Sequence, residues 1–290
     1  MSELSRRILF GVVAAPVALA IIYFGDAALA TLLAALAAAA AWEFFRIARA
    51  TGEEPLATIG IALAAAVPLL VHGEFLGVFL VPRTLAPLAM LGLLAAAVWT
   101  RGVSRRPLGA AAVTAFGVVY TGVALSYGYA LRYHGYTVGP SAGTALVMFP
   151  LVLTWVSDIG AYAVGRTLGR RRLIPSVSPG KTVAGCVGAL VLSAFASWAY
   201  IVLVLVPVAQ LALAAWWALA FGLTISVAAQ IGDLAESLLK RAAGMKDSST
   251  LIPGHGGVLD RFDSLLFVLP LAWLMLGWLL IPAPAPPLPR

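Results

Sequence analysis

Apolar runs of about 20 residues recur along this chain, and each is long enough to cross a bilayer as a helix. Only 11% of the residues are charged, whereas a soluble domain has roughly 25%. The runs are rich in Ala, Leu and Val without polar alternation, which excludes a membrane β-barrel. We predict an all-α polytopic membrane protein of about nine transmembrane helices, near 8–24, 27–45, 56–72, 82–99, 108–131, 144–164, 183–206, 210–232 and 262–281.

The distribution of basic residues predicts the orientation of these helices. If the N-terminus is cytoplasmic, only Arg83, Arg132 and Arg290 of the 19 Lys and Arg residues lie outside. This asymmetry follows the positive-inside rule. The net charge of +7 therefore mainly reports orientation, and we expect no nucleic-acid partner. Two long polar loops, 165–182 and 233–261, are predicted to face the cytoplasm. The abundance of Ala and the excess of Arg over Lys suggest a bacterial chain, and hence the inner membrane.

The polar residues concentrate in segment 232–263, which is the first candidate site. On a helix, Asp233, Ser237 and Lys240 share one face, and Glu236 could pair with Lys240. Three glycines surround His255 and allow close approach of the backbone to a ligand. A solvated helix end is the alternative interpretation of this face.

Asp260 and Asp263 open the last predicted span, one turn apart. They could cap the helix and favour its dipole. Alternatively, they could hold a metal with Asp233, because two carboxylates 4 Å apart repel by about 4 kcal/mol at an effective dielectric of 20. Oxygen ligands suit Mg²⁺. A zinc set is not expected, since His72 and His134 fall on the predicted outer side and no Cys/His spacing fits.

The loop 165–182 is the second candidate site. Asp158 lies within the preceding span, where a carboxylate costs about 2.5–3.5 kcal/mol, so it is either paired with an arginine such as Arg166 or faces a polar site. The segment 178–182 is predicted to form a constrained turn whose hydroxyls, lysine and backbone donors hold phosphate oxygens. The alternative is a topology signal or a contact with anionic lipid. The spacing is not that of a P-loop.

Together these residues resemble the signature of phosphatidate cytidylyltransferases, also called CDP-diacylglycerol synthases. The resemblance is carried by Ser237-Leu-Leu-Lys240-Arg241, Lys246-Asp247, His255-Gly-Gly and Asp260-Arg261-Phe-Asp263. A second matching region holds Asp158, Ala161-Tyr162, Gly165-Arg166 and Ser178-Pro-Gly-Lys181-Thr182. One departure is Ala184, where the family usually has a glutamate, and we assign no role to it.

The resemblance implies that CTP and phosphatidate give CDP-diacylglycerol and pyrophosphate with Mg²⁺, in a homodimer that contacts membrane lipids. It implies catalytic roles for Asp233, Ser237, Lys240, Asp260 and Asp263. The implied metal ligands are Asp233 and Asp260, with Asp158 and Asp263 as further candidates. The implied substrate-binding residues are Arg166, Ser178, Lys181, Thr182, Lys240, Arg241, Lys246, His255, Gly256, Gly257 and Arg261.

The predicted regions are an N-terminal transmembrane part at 1–106, a middle part at 107–143 that could dimerise, a catalytic part at 144–282 and a proline-rich tail at 283–290. Two other functions stay open. One is a CTP-dependent polyprenol-type lipid kinase. The other is a secondary transporter, which would need charges near the bilayer midplane and related halves. The chain has no internal repeat, and its charges lie at the ends of the predicted spans.

Overall fold

The structure is a computed structural model, and it describes residues 3–102, 105–252, 254 and 256–283, with side chains from residue 12 onward. The predicted all-α membrane fold is confirmed. Within these residues there are ten α-helices, two π-helical segments at Val118–Val123 and Ile201–Ala209, and two small two-stranded sheets. The helices are α1 Glu3–Phe24, α2 Asp26–Ala50, α3 Ala57–Phe75, α4 Leu85–Thr100, α5 Pro107–Gly117, α6 Ala124–Arg132, α7 Gly139–Leu168, α8 Val183–Tyr200, α9 Ala215–Ala242 and α10 Leu259–Leu279.

Each predicted span overlaps a helix in the described residues, although several bounds differ by a few residues. In the part of the chain that the structure describes, seven helices are long and apolar enough to cross a membrane, counting α5 through α6 and α8 with its π-helical extension as single helices. The first and fourth predicted spans correspond to shorter apolar helices, Val12–Phe24 and Leu85–Thr100. The fourth begins at Leu85, three residues after Pro82, so its predicted start at 82 was too early. The number of spans and their orientation therefore stay predictions.

The chain groups into two compact units. One consists of 1–130 and 233–266, and the other of 131–232 and 267–290. These structural units do not test the functional regions predicted from the sequence, which stay predictions.

In the first unit, α2 packs against α3, against α5 and against the π-helical segment Val118–Val123. Small residues permit this close packing. A side chain at Gly60 would lie 2.5 Å from the Phe45 ring, and one at Gly117 would overlap the same ring. Helices in membranes associate largely through such contacts, since lipid tails are as apolar as the side chains. The consequence is that α2 is buried along one side over most of its length.

In the second unit, α7 packs along α8, and Phe149 stacks on both Tyr200 and Phe221 with ring centroids 4.8 and 4.7 Å apart. Between α7 and α8 the chain forms an antiparallel hairpin of β1, Arg172–Ile174, and β2, Ser178–Thr182. A second pair, β3 at Leu211–Ala212 and β4 at Ile281–Pro282, is also antiparallel.

Candidate functional site

The candidate site in the first unit lies where α9 ends, where α10 begins and in the loop between them. Within α9, Lys240 Nζ lies 2.5 Å from Glu236 Oε2, which confirms the predicted pair at spacing i, i+4. The same nitrogen donates to Asp260 Oδ1 at 2.7 Å. The side chains of Lys240, Glu236 and Asp260 are 11%, 1% and 6% exposed. One buried cation therefore joins carboxylates from two helices.

Asp260 collects further donors from the loop. The backbone nitrogen of Ser248 donates to Oδ2 at 2.9 Å, and the Ser248 hydroxyl lies 2.9 Å from the same oxygen. The backbone nitrogen of Gly257 donates to Oδ2 at 2.8 Å. Each of these hydrogen bonds favours the ionised carboxylate. Asp260 thus organises the loop in front of its own helix, which neither the capping nor the metal interpretation of the sequence anticipated.

Two glycines of the loop allow its backbone to lie close to carboxylates and to Ser248. Gly256 has a φ of +82°, which favours glycine, and a side chain there would lie 2.7 Å from Asp260 Oδ2. A side chain at Gly257 would overlap Ser248 Oγ and Glu43 Oε1. At Gly257 the group that approaches the backbone is therefore part of the protein, whereas the sequence predicted a ligand.

The predicted magnesium ligands are hard oxygen donors, which is the chemistry that Mg²⁺ prefers. The geometry does not assemble them. Within the parts of the chain that the structure describes, no three His, Cys, Asp or Glu side chains lie close enough to hold a metal ion. The Asp260 carboxylate is directed at Lys240, Ser248 and Gly257.

A family model described as the cytidylyltransferase family matches residues 5–279 of this sequence. The chain belongs to the cytidylyltransferase family. Its relatives include proteins named phosphatidate cytidylyltransferase. The one from Staphylococcus saprophyticus is 39% identical over 57% of this chain and 59% of its own length. The one from Bacillus subtilis is 43% identical over 47% of this chain and 48% of its own length. The one from Staphylococcus aureus strain COL is 37% identical over 57% of this chain and 59% of its own length. The chain thus matches about half to three fifths of the length of these relatives.

The prediction of a turn at 178–182 is wrong. Ser178–Thr182 is the extended strand β2, and the turn of the hairpin is at 175–177. The strand is favoured because it pairs with β1, so its backbone donors are partly used in the ladder. Thr182 is buried and caps α8, where its hydroxyl accepts from the Gly185 nitrogen at 3.1 Å.

The other predicted residues of the second unit lie nearby along the chain. Arg166 is exposed near the end of α7, where it donates to the Tyr162 hydroxyl at 2.7 Å. Asp158 is exposed on the same helix, and Ser178 and Lys181 are half-buried on β2. Roles for these residues in binding stay predictions.

Lys240, Glu236 and Asp260 form what we call the Lys240 cluster, and the remaining predicted residues of the first unit lie near it along the chain. Ser237 donates to Asp233 Oδ1 at 3.3 Å, which confirms that these two share a helix face. Asp263 Oδ1 accepts from the Ser264 nitrogen. His255 lies outside the described residues. Three cations are exposed to solvent, and they are Arg241, Lys246 and Arg261.

The sequence analysis missed Glu43 of α2. Its side chain is fully buried, and Oε1 accepts from the Ser249 hydroxyl at 2.5 Å and from the Val258 nitrogen at 2.9 Å. Oε2 accepts from the Leu259 nitrogen at 2.6 Å, with the Ser248 hydroxyl 3.0 Å away. The signal was available, since a carboxylate inside an apolar span is expensive and usually functional.

Proposed function

We propose that this cytidylyltransferase-family protein transfers the cytidylyl group of CTP to phosphatidate, giving CDP-diacylglycerol and pyrophosphate for phospholipid synthesis. The observation that carries the proposal is the buried Lys240, which two carboxylates hold beside Gly256 and Gly257, hereafter the glycine turn. The family model matches the chain over residues 5–279. The names of the relatives supply the two substrates.

The reaction needs little acid–base chemistry. A phosphate oxygen of phosphatidate attacks the α-phosphorus of CTP, a new phosphorus–oxygen bond forms, and the bond to the β-phosphate breaks with its electrons leaving on pyrophosphate. The nucleophile is already an anion at neutral pH. The protein must therefore bring two polyanions together and stabilise the leaving charge, which cations and backbone donors do.

The proposed division of roles follows the positions of the cations. Lys240 is rigidly held, which suits orientation of one phosphate with little loss of side-chain entropy. Arg241, Lys246 and Arg261 are exposed, which suits neutralisation of incoming triphosphate. In the second unit, we propose that Ser178, Lys181 and Thr182 of the hairpin and Arg166 of α7 bind phosphate groups of a substrate.

We propose Mg²⁺ as the cofactor, with Asp233, Asp260 and Asp263 of the first unit as its candidate ligands. Its chemistry, when bound, is neutralisation of charge on the phosphates of CTP and on the departing pyrophosphate. The hard oxygen donors of these aspartates support this assignment, and binding of the ion would require the carboxylates to move closer together than they are in the structure. Asp260 would have to exchange donors with Lys240 or Ser248 to bind the ion, so the metal and the protein donors compete for one carboxylate.

The protein is an integral membrane protein, and we propose that it resides in the bacterial inner membrane with the site facing the cytoplasm, where CTP is available. The charge asymmetry of the predicted loops supports this orientation. We also propose a homodimer in contact with membrane lipids, with the 107–143 region contributing to the interface.

The purified full chain in detergent, supplied with phosphatidate, labelled CTP and Mg²⁺, tests the proposal directly. We expect labelled CDP-diacylglycerol and one pyrophosphate for each product. A polyprenol acceptor that is phosphorylated with release of CDP would indicate the kinase instead. Solute uptake into proteoliposomes without nucleotide turnover would indicate the transporter.

A further inference from the structure

Glu43 lies far from the candidate site in sequence, yet its carboxylate contacts the loop on both sides of the glycine turn. It receives hydrogen bonds from the Ser249 hydroxyl before the turn and from the Val258 and Leu259 nitrogens after it. The last two nitrogens open α10, where the first amides of a helix have no partner within the helix. A carboxylate from α2 therefore satisfies the N-terminus of α10.

Ser248 connects this carboxylate to the Lys240 cluster. The Ser248 hydroxyl lies 3.0 Å from Glu43 Oε2 and 2.9 Å from Asp260 Oδ2, so its single hydrogen can donate to either carboxylate. Its backbone nitrogen donates to Asp260, and its carbonyl oxygen accepts from Arg46 Nη2. Ser248 is thus fixed by α2 from one side and by α10 from the other.

These contacts are buried, which makes them costly to break. Glu43 and Ser248 are fully buried, and Ser249 is nearly so. Because water does not reach these groups, a donor that loses its carboxylate partner has no replacement. The fixed ends of the loop then restrict the positions that Gly256, Gly257 and Asp260 can adopt.

We infer that Glu43 is a positioning residue of the site: through Ser248, Ser249 and the first amides of α10, it holds the glycine turn and Asp260 in place for catalysis. Arg46 lies about one turn further along α2 and also fixes the loop, because it donates to the Ser248 carbonyl oxygen. This inference rests on the proposed cytidylyl transfer for its catalytic meaning, whereas the holding of the loop is a property of the protein alone.

Glu43→Gln is the informative change because it keeps the size of the side chain. Each carboxylate oxygen of Glu43 accepts from one backbone nitrogen, Val258 on one side and Leu259 on the other. An amide has only one acceptor oxygen, so one of these nitrogens would face an NH₂ group. Ser249→Ala is a milder second change that removes one donor. Glu54→Gln is the matched control, because Glu54 is exposed in the loop after α2.

Two measurements on the purified, monodisperse full chain test the inference. The first is the rate of tryptic cleavage after the exposed Lys246, followed by mass spectrometry. The second is kcat and KM for CTP in the phosphatidate assay. We expect Glu43→Gln to speed cleavage and to lower kcat, each at least about tenfold, since a displacement of about 1 Å at a site can cost about a hundredfold. Ser249→Ala should change both in the same direction by less, and Glu54→Gln should change neither.

The outcomes distinguish the positioning role of Glu43 from the proposed cytidylyl transfer. Wild-type cleavage and kcat in folded Glu43→Gln would overturn the inference, as would faster cleavage with unchanged kcat or reduced kcat with unchanged cleavage. If Glu43→Gln does not yield folded protein, the same criteria apply to Ser249→Ala. If the wild-type chain turns over no CTP, the proposed function fails, and unchanged cleavage in the variants would still overturn the holding of the loop.

Discussion

Lys240 Nζ lies 2.7 Å from Asp260 Oδ1, and the two residues come from helices on either side of the polar loop. Glu236 holds the same ammonium group at 2.5 Å from within α9. A buried ion pair of this kind contributes little net stability, because desolvation of the charges offsets their attraction. Its consequence is positional: it fixes the start of α10 against the end of α9, and it keeps a cation ready beside the glycine turn.

Asp260→Asn is expected to lower kcat by at least about a hundredfold, which is about 2.7 kcal/mol of transition-state stabilisation, while the protein purifies normally. The change removes the charge next to Lys240 and places an NH₂ group among donors. Turnover of labelled CTP measures it. Asp26→Asn is the control, because Asp26 is an exposed carboxylate at the start of α2 and lies outside the loop between α9 and α10. Loss of a helix cap alone would cost about 0.5–2 kcal/mol of stability and leave a largely active enzyme. If Asp260→Asn keeps more than about a tenth of the activity, Asp260 has only a structural role.

Lys240→Met should destabilise the folded protein by about 3–5 kcal/mol, because it leaves Glu236 and Asp260 buried without their cation. Adding Glu236→Gln should recover part of this stability, since one of the two carboxylates is then neutral. Activity should stay low in both variants. Thermal unfolding in detergent and CTP turnover, measured on the same preparations, separate the two effects. Recovery of activity in the double variant would show that Lys240 has no direct role with the phosphates.

Gly257→Ala should be poorly tolerated, because its methyl group would overlap Ser248 Oγ and Glu43 Oε1. Overpacking of this kind costs about 1–3 kcal/mol, and displacement of the turn should also reduce turnover. Gly92→Ala is the matched control in α4, where nothing lies within 4 Å of the added methyl group. Equal thermal stability and activity for the two variants would contradict the packing of the glycine turn.

Chelation tests the proposed cofactor. EDTA should abolish CTP turnover, and Mg²⁺ should restore it better than Zn²⁺, because the candidate ligands are carboxylates without thiol partners. The same chelation should leave the thermal unfolding of the protein nearly unchanged, since the loop is held by protein donors. Full turnover after thorough chelation would rule out the assignment of Asp233, Asp260 and Asp263 to a metal.

Single cysteines at positions 170 and 250 test the predicted orientation. Both wild-type residues, Arg170 and Thr250, are exposed, and the native Cys186 is replaced by alanine to give a silent background. An impermeant maleimide added to intact cells should leave both positions unlabelled and should label them after lysis. Labelling of both before lysis would place the loops outside.

Several local predictions depended on spacing alone, and these agree with the structure. Glu236 and Lys240 pair because four residues form about one helical turn, and Ser237 reaches Asp233 for the same reason. The prediction for 178–182 was wrong because proline and glycine indicated a turn, whereas pairing with β1 extends the segment. Propensity is a local signal, and a hydrogen-bonded partner strand overrides it.

The sequence by itself determined the class of the protein, its apolar helices and its family, and it predicted 232–263 as the candidate site. The class and the helices follow from hydrophobicity and spacing, and the family follows from motifs, all of which lie along the chain. Only the tertiary structure decided the partners of Asp260 and of Glu43. Glu43 and Ser248 are 205 residues apart, and no period or motif links them. Their contact exists because a buried carboxylate must find donors, and the packing of the helices determines which donors are within reach.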